Sequence, residues 1–309
     1  MDILIGILEQ GFIYGILALG VYITYSILDF PDLSVDGTFP MGAAVAAILI
    51  MHGVNPWLAL VIAFIAGSCA GLVTGLIHVK GKVRDLLSGI ITMTALYSIN
   101  IHIADGKSNL AIFTGETIFN SGIAAMLPEF LQPYRVLIIS FVLIVLCKLL
   151  LDWYLNTKSG FLLFAAGDNQ QVVTALAEDH GKVKIMGLVL ANGRVALSGA
   201  VLCQHQRFFD VSMGPGSVVL GLAAVIMGMK LLGNVSFVKG TTAAIFGAIL
   251  YKACYAGAIA AGMEAVDMKL ITAILFFAVL MLSSGEKGNK PTFIERLKKG
   301  VKKGGKPRA

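Results

Sequence analysis

The sequence predicts an all-α polytopic membrane protein of about nine (8–10) transmembrane helices, with a broken or re-entrant segment near residues 29–40. Three observations predict it. The chain is 57% hydrophobic with a mean hydropathy of +0.84, and only 14% of its residues are charged, against about a quarter in a soluble domain. Its apolar residues gather in runs of roughly 17–25 residues, the length of helix that crosses a hydrocarbon core of about 30 Å. Those runs are continuous and rich in Leu, Ile, Ala and Gly. A barrel strand would need in–out alternation instead, so helices are the structure that satisfies the backbone in lipid.

In chain order, the first span covers roughly Ile3–Leu28. The polar stretch Asp29–Pro40 follows, then a short apolar piece to about His52. Pro56–Val79 and Leu86–His102 are spans joined by the basic hairpin Lys80–Arg84. Residues 104–133 read as a polar loop with weak helical signals, and Tyr134–Leu151 as the next span. A long polar segment, 152–184, precedes Ile185–Gln204. Val218–Met229, Val238–Ala260 and Met268–Ser283 complete the set. Gly67, Gly71 and Gly75 recur every four residues on one helix face, which allows close backbone approach within or between subunits.

Charge orients these spans. Lys80, Lys82 and Arg84 mark one loop, and Lys148, Lys158, Lys182 and Lys184 mark another. From Glu286 onward nine lysines and arginines stand against Glu286 and Glu295, a net of +7 in a chain whose total is +6. The basic character is therefore that of a tail, and the body offers no nucleic-acid-binding surface. Alternating spans bring all three basic regions to the cytosolic side if the amino terminus lies outside. A re-entrant 29–52 region would reverse the amino terminus. The basic tail is expected to be cytosolic, held near anionic lipid headgroups. The amino-terminal stretch lacks a basic n-region and a cleavage site, so the first span is expected to stay in the mature protein.

Three polar features stand above this background. The stretch Asp29–Pro40 holds Asp29, Asp32 and Asp36, two prolines and a glycine. Each charge at bilayer depth costs about 2.5–3.5 kcal/mol on insertion scales. Irregular backbone at that depth persists only beside protein or a watery cavity. The segment reads as a loop lining a solute route, or as an interfacial turn with aspartate caps. The second feature is Gly160–Gly187, on the cytosolic side by charge. Asp168 or Asn169 can cap a short helix over Gln170–Ala177 that ends near Gly181. That helix is a docking element for a cytosolic partner or a solvated connector. The third runs from Asn192 and Arg194 through Gln204–Asp210 to Met213–Gly216, whose Gly-Pro-Gly breaks the helix pattern. It reads as a pathway gate, or as polar side chains reaching for the interface.

Other chemistries lack their residues. Cys69, Cys147, Cys203 and Cys254 sit singly in apolar runs, and five histidines are scattered, so neither a disulfide framework nor a metal site is indicated. Gly300–Lys306 has nucleotide-loop spacing, but Pro307 stands where the magnesium-binding hydroxyl belongs. The chain is expected to be no enzyme and to hold no cofactor of its own.

At these segments the chain resembles the bacterial ABC importer permeases of the branched-chain amino acid and ribose type, and more closely the branch labelled tryptophan/tyrosine transport permeases. The matching stretches are Ser34–Phe39, Gly89–Asn100, Gly167–Asn169, Val195–Ala200 and Gly221–Ile226, spread in order over nearly the whole chain except the tail. The resemblance implies a permease domain over 1–285, with a coupling segment at 160–187, and a basic cytosolic tail over 286–309. It implies a multi-pass inner-membrane protein with a cytosolic carboxyl terminus, and a pair of permease copies, most simply a homodimer. Two cytosolic ABC ATPases would hold ATP and magnesium, and an extracellular lipoprotein would deliver a small solute such as an amino acid. Asp29, Asp32, Asp36, Thr38, Phe39, Thr92, Thr94, Tyr97, Asn100, Asn192 and Gln204 would line the pathway. Gly167, Asp168, Asn169, Gln170, Val173, Ala177, Glu178 and Gly181 would form the ATPase contact. Phe164 stands where the family tends to carry arginine, and Arg194 and Arg207 where small or apolar residues are expected. An ion-coupled secondary transporter, which also uses broken helices and intramembrane carboxylates, is the competing reading.

Overall fold

The computed structural model describes residues 2–113, 115–124, 128–168, 179–233, 235, 238–263 and 267–284. Within them the chain is a bundle of α-helices. Seven are long and apolar enough to cross a membrane, and two shorter apolar helices, Val35–Met51 and Leu270–Met281, accompany them.

Helix α1 (Asp2–Val21) passes into a π-helical turn, Tyr22–Ile27, closed by the Leu28 N–H donating to the Ile23 carbonyl at 3.0 Å. The break that follows is shorter than the sequence suggests. Helix α2 (Val35–Met51) already contains Asp36–Pro40, so the irregular backbone is confined to residues 28–34. Nor does the segment fold back on itself. The far half of α2 packs against strands at the opposite end of the bundle, where Ala47 and Ile50 share a cluster with Leu110 and Phe209. Pro40 lacks an N–H, leaving the Asp36 carbonyl without its helical donor, and Gly214 packs against that carbonyl.

Helices α3 (Pro56–Val79) and α4 (Asp85–Ile103) form a hairpin; Asn55 caps α3 by accepting from the Trp57 N–H at 2.9 Å. Helix α5 (Arg135–Leu155) continues four residues past the expected end and takes in Asp152. The segment read as polar contains a further helix, α6 (Lys158–Asp168). Helix α7 (His180–Gln206) begins five residues before the expected span, capped by Asp179 accepting from the Gly181 N–H at 2.8 Å. Then come α8 (Ser217–Leu232), α9 (Gly240–Ala260) and α10 (Met268–Ser284). The loop 104–133, expected to be polar with weak helical signals, carries short 3-10 helices at Gly122–Ala124 and Glu129–Tyr134. It also supplies strand β1 (Asn109–Ala111), paired antiparallel with β2 (Phe208–Asp210).

Helix α7 is the axis, packed against α1, α2 and α3. The glycine stripe is one of its seams, and it lies within the chain. A Cβ at Gly67 would meet Ala196 and Asn192, one at Gly71 would meet Leu188, and one at Gly75 would stand 3.0 Å from Ile185. Small residues thus bring the α3 and α7 backbones together, the packing that serves where lipid gives no hydrophobic drive. Arg207 takes a left-handed conformation (φ 62°) that ends α7, and its guanidinium donates to the Phe113 carbonyl at 3.2 Å. It therefore holds the β1 loop and stands apart from the bundle interior.

The two ends differ in charge. His78 meets Lys184 at 3.2 Å beside the Lys80–Arg84 hairpin. Asp152 accepts from Lys148 at 2.9 Å, Lys239 at 3.1 Å and Thr241 at 2.7 Å, clamping α5 to α9. These groups define a basic end. The β1–β2 end holds the Glu9–His205 contact at 3.9 Å, and it places the start of α1 there.

Candidate functional site

The predicted pathway residues separate into two groups and several isolated side chains. Asp36, Thr94, Tyr97 and Asn100 converge on one cavity of about 310 Å³ between α2, α4 and the Gly-Pro-Gly loop, with Pro40 and Pro215. Asp36 is the organising group. Its Oδ2 accepts from the Gly216 N–H at 3.1 Å, and its Oδ1 from the Ser217 hydroxyl at 2.9 Å and the Val218 N–H at 2.8 Å. A carboxylate from one helix thus caps another, at the end where unsatisfied N–H groups and the helix dipole favour negative charge. Gly216, at φ 100°, supplies the backbone turn that aims those donors at Asp36. Asn100 donates to the Gly37 carbonyl at 2.9 Å, while among the described residues its buried Oδ1 has no donor.

A second group, one to two turns nearer the basic end, unites Asp32 and Asn192. Asp32 is 3% exposed. It accepts from the Ser34 N–H at 2.8 Å and from the Asn192 amide at 2.8 Å, while Ser34 donates to the Asn192 oxygen at 3.2 Å. The start of α2 is thereby fixed to the middle of α7. A buried carboxylate needs such partners, because one left without them would cost several kcal/mol.

The rest do not join these groups. Thr38 is buried and donates to the Ser34 carbonyl at 2.9 Å within its own helix. Phe39 is buried against Tyr14, with ring centroids 6.0 Å apart. Thr92 accepts from Thr74 at 3.0 Å across the α3–α4 hairpin. Gln204 accepts from the Ile118 N–H at 2.9 Å and donates to the Pro56 carbonyl at 3.2 Å, holding the loop end together. Asp29 is exposed, with a left-handed φ of 53°. Arg194 is 6% exposed on α7 and donates to the Leu190 carbonyl at 2.8 Å.

In the coupling segment, Asp168 is the last residue of α6, and the short helix expected over Gln170–Ala177 lies outside the described residues. Gly167 packs against the Ile27 carbonyl of the π-helical turn. Gly181, expected to end the short helix, is the second residue of α7. Asn169, Gln170, Val173, Ala177 and Glu178 lie outside the described residues. Phe164 lines a cavity of about 360 Å³ at the basic end together with Asp152 and Lys239.

Sequence reasoning missed one site. A cavity of about 450 Å³ lies among α1, α8, α9 and α10, lined by Tyr14, Ser217, Tyr251, Lys252, Tyr255 and Thr272. Lys252 is 6% exposed. Its ammonium stands 3.7 Å from the Tyr14 ring centroid and 5.0 Å from that of Tyr255. A desolvated contact of this kind is worth about 2 kcal/mol. The signal was present: a lysine in the middle of the apolar run Val238–Ala260, flanked by Tyr251 and Tyr255, is a functional marker by cost alone.

Among the described residues no group of three His, Cys, Asp or Glu side chains could hold a metal ion. At the rim, partial burial pulls the Asp210 carboxyl upward. Hydrogen bonds from Ser212 and Asn109 outweigh it and hold the group below the ordinary carboxylate value.

This multi-helix bundle with polar cavities beside broken helices is the architecture of a membrane transport protein. Residues 3–283 match the family described as the branched-chain amino acid transport system permease component, and the chain belongs to that family. It is 44% identical over 280 residues to a tyrosine transport system permease protein of Clostridioides difficile, covering 91% of each chain. It is 32% identical over 284 residues to an uncharacterized protein of Rickettsia prowazekii, covering 91% of this chain and 97% of that one. A ribose import permease protein of Bacillus subtilis is 26% identical over 230 residues, 73% of this chain and 67% of the relative. No solved structure matches.

Proposed function

We propose that the chain is the membrane-spanning subunit of an ATP-driven importer, and that its solute is an aromatic amino acid or a close chemical relative. It works as a pair of copies, with two cytosolic ATPases docked on residues 169–181 and an extracellular binding lipoprotein supplying the solute. The observation that carries this reading is the match through residues 3–283 to a permease family, in a chain without a complete nucleotide-binding loop. The solute class rests on the relative named as a tyrosine transport permease. ATP binding on the partner shifts the permease pair between outward-open and inward-open states, through contacts that differ between the two. The basic end, with Lys80, Lys82, Arg84 and Lys184, faces the cytosol under this reading, in keeping with the positive-inside rule.

Tagged full-length chain purified from its native host tests the partnership. It should retain an ATPase that carries a nucleotide-binding loop. Replacing Ala177 and Glu178 by arginine should lower that retention about tenfold, the scale of one good interface contact, without altering thermal stability. Retention unchanged by the substitutions, or no ATPase on the unaltered chain, would remove the docking proposal.

A further inference from the structure

Lys252 has a feature that the pathway described above leaves unused. Among the described residues no carboxylate lies within ion-pair distance of its ammonium, and no hydrogen bond reaches it; its contacts are the Tyr14 and Tyr255 rings. A charge this deeply placed in a membrane helix needs a counter-ion or an ordered solvent partner. The charge also lines a cavity of about 450 Å³, within the range that holds a small molecule, where apolar and aromatic walls with a few polar groups are the rule. The same cavity reaches Ser217 at the start of α8, and Pro215 lines both this cavity and the one beneath Asp36 and Asn100. Tyr14 carries the connection further, since its other neighbour is Phe39 on α2.

We propose that Lys252 and the tyrosine walls of this cavity form a binding site for the carboxylate of a small aromatic solute within the membrane. The ammonium takes the carboxylate as a charge-assisted hydrogen-bond acceptor. Tyr14, Tyr251 and Tyr255 offer ring surfaces against which an aromatic side chain stacks. The site would make the permease itself, and not only a delivering protein, discriminate by the carboxylate. This deepens the import reading by assigning the group that recognises its solute class.

The test uses purified full chain in lipid nanodiscs and ligand-observed saturation-transfer NMR, which reads weak binding. The probes are L-tyrosine and tyramine, which share a ring and an amine but differ in the carboxylate. L-tyrosine should bind and tyramine should not. Lys252→Met should weaken tyrosine binding about tenfold or more, the worth of one charge-assisted bond, and Lys252→Arg should restore most of it. Equal binding of the two probes, binding of neither, or full tyrosine binding by Lys252→Met would overturn the assignment. If Lys252→Met does not fold, the probe pair on the unaltered chain still decides. Because no ATPase is present, a failure here leaves the importer reading standing, and a failure of ATPase retention leaves this site standing.

Discussion

Asp36 shows how one side chain serves two elements at once. It belongs to α2, yet its three accepted hydrogen bonds come from residues 216–218. Removing it leaves the start of α8 without its cap and Ser217 without its acceptor. Asp36→Ala should therefore lower stability by about 2 kcal/mol, the upper range for a lost cap, measured as thermal unfolding in detergent. Asp36→Asn keeps an acceptor oxygen and should cost less. Equal stability of all three proteins would show that the cap contributes nothing. The carboxylate itself was legible in the sequence as a marked residue in Asp29–Pro40. Its partner was not, because Asp36 and Gly216 stand 180 positions apart in the chain and no local pattern links them. Lys252 is the opposite case: the costly residue was in plain view, but the tyrosine of α1 that faces it is a long-range product of packing.

At the scale of elements, the α3–α7 seam depends on glycine at fixed spacing. A Cβ at Gly71 would stand 2.8 Å from the Leu188 carbonyl carbon and 2.9 Å from the Asn192 Cβ, closer than packed atoms tolerate. Gly71→Ala should destabilise the protein by about 1–3 kcal/mol through overpacking. Gly257→Ala has nothing within 4 Å of the new methyl and should stabilise α9 by about 0.5–1 kcal/mol. The same thermal unfolding assay separates the pair, and a neutral Gly71→Ala would show the seam to be loose. The β1–β2 pair gives a pH dependence. Because the folded-state pKa of Asp210 is lowered, its contribution is present above the ordinary carboxylate value and fades as pH falls through the lower folded value. The stability gap between wild type and Asp210→Asn should hold at neutral pH and close in strong acid; a gap independent of pH would contradict this. Helix spacing announced the glycine face, but a four-residue period names no partner helix. The two strands were unreadable because three-residue strands in a polar loop carry too little alternation to register.

For the whole molecule, apolar run length sufficed to predict a helical membrane protein, and the family match covers the same residues. Boundaries were less legible. Helix α7 extends to His180 because Asp179 caps it, and α6 forms within the stretch 152–184 that reads as a long polar segment. Only some of the residues marked for the pathway meet at a cavity; others, such as Gln204 and Thr92, are tied into helix and loop contacts. A polar residue in an apolar span signals a partner, and the sequence does not say whether that partner is solute or protein. The central claim concerns energy: this chain is a conduit driven by a separate ATPase. The direct test compares uptake of labelled tyrosine in the native host with and without this gene, under two treatments. Collapse of ion gradients by ionophore, with ATP maintained, should leave the gene-dependent uptake intact, and depletion of ATP should abolish it. Gene-dependent uptake that vanishes with the gradients while ATP remains would contradict the account and mark the protein as an ion-coupled carrier.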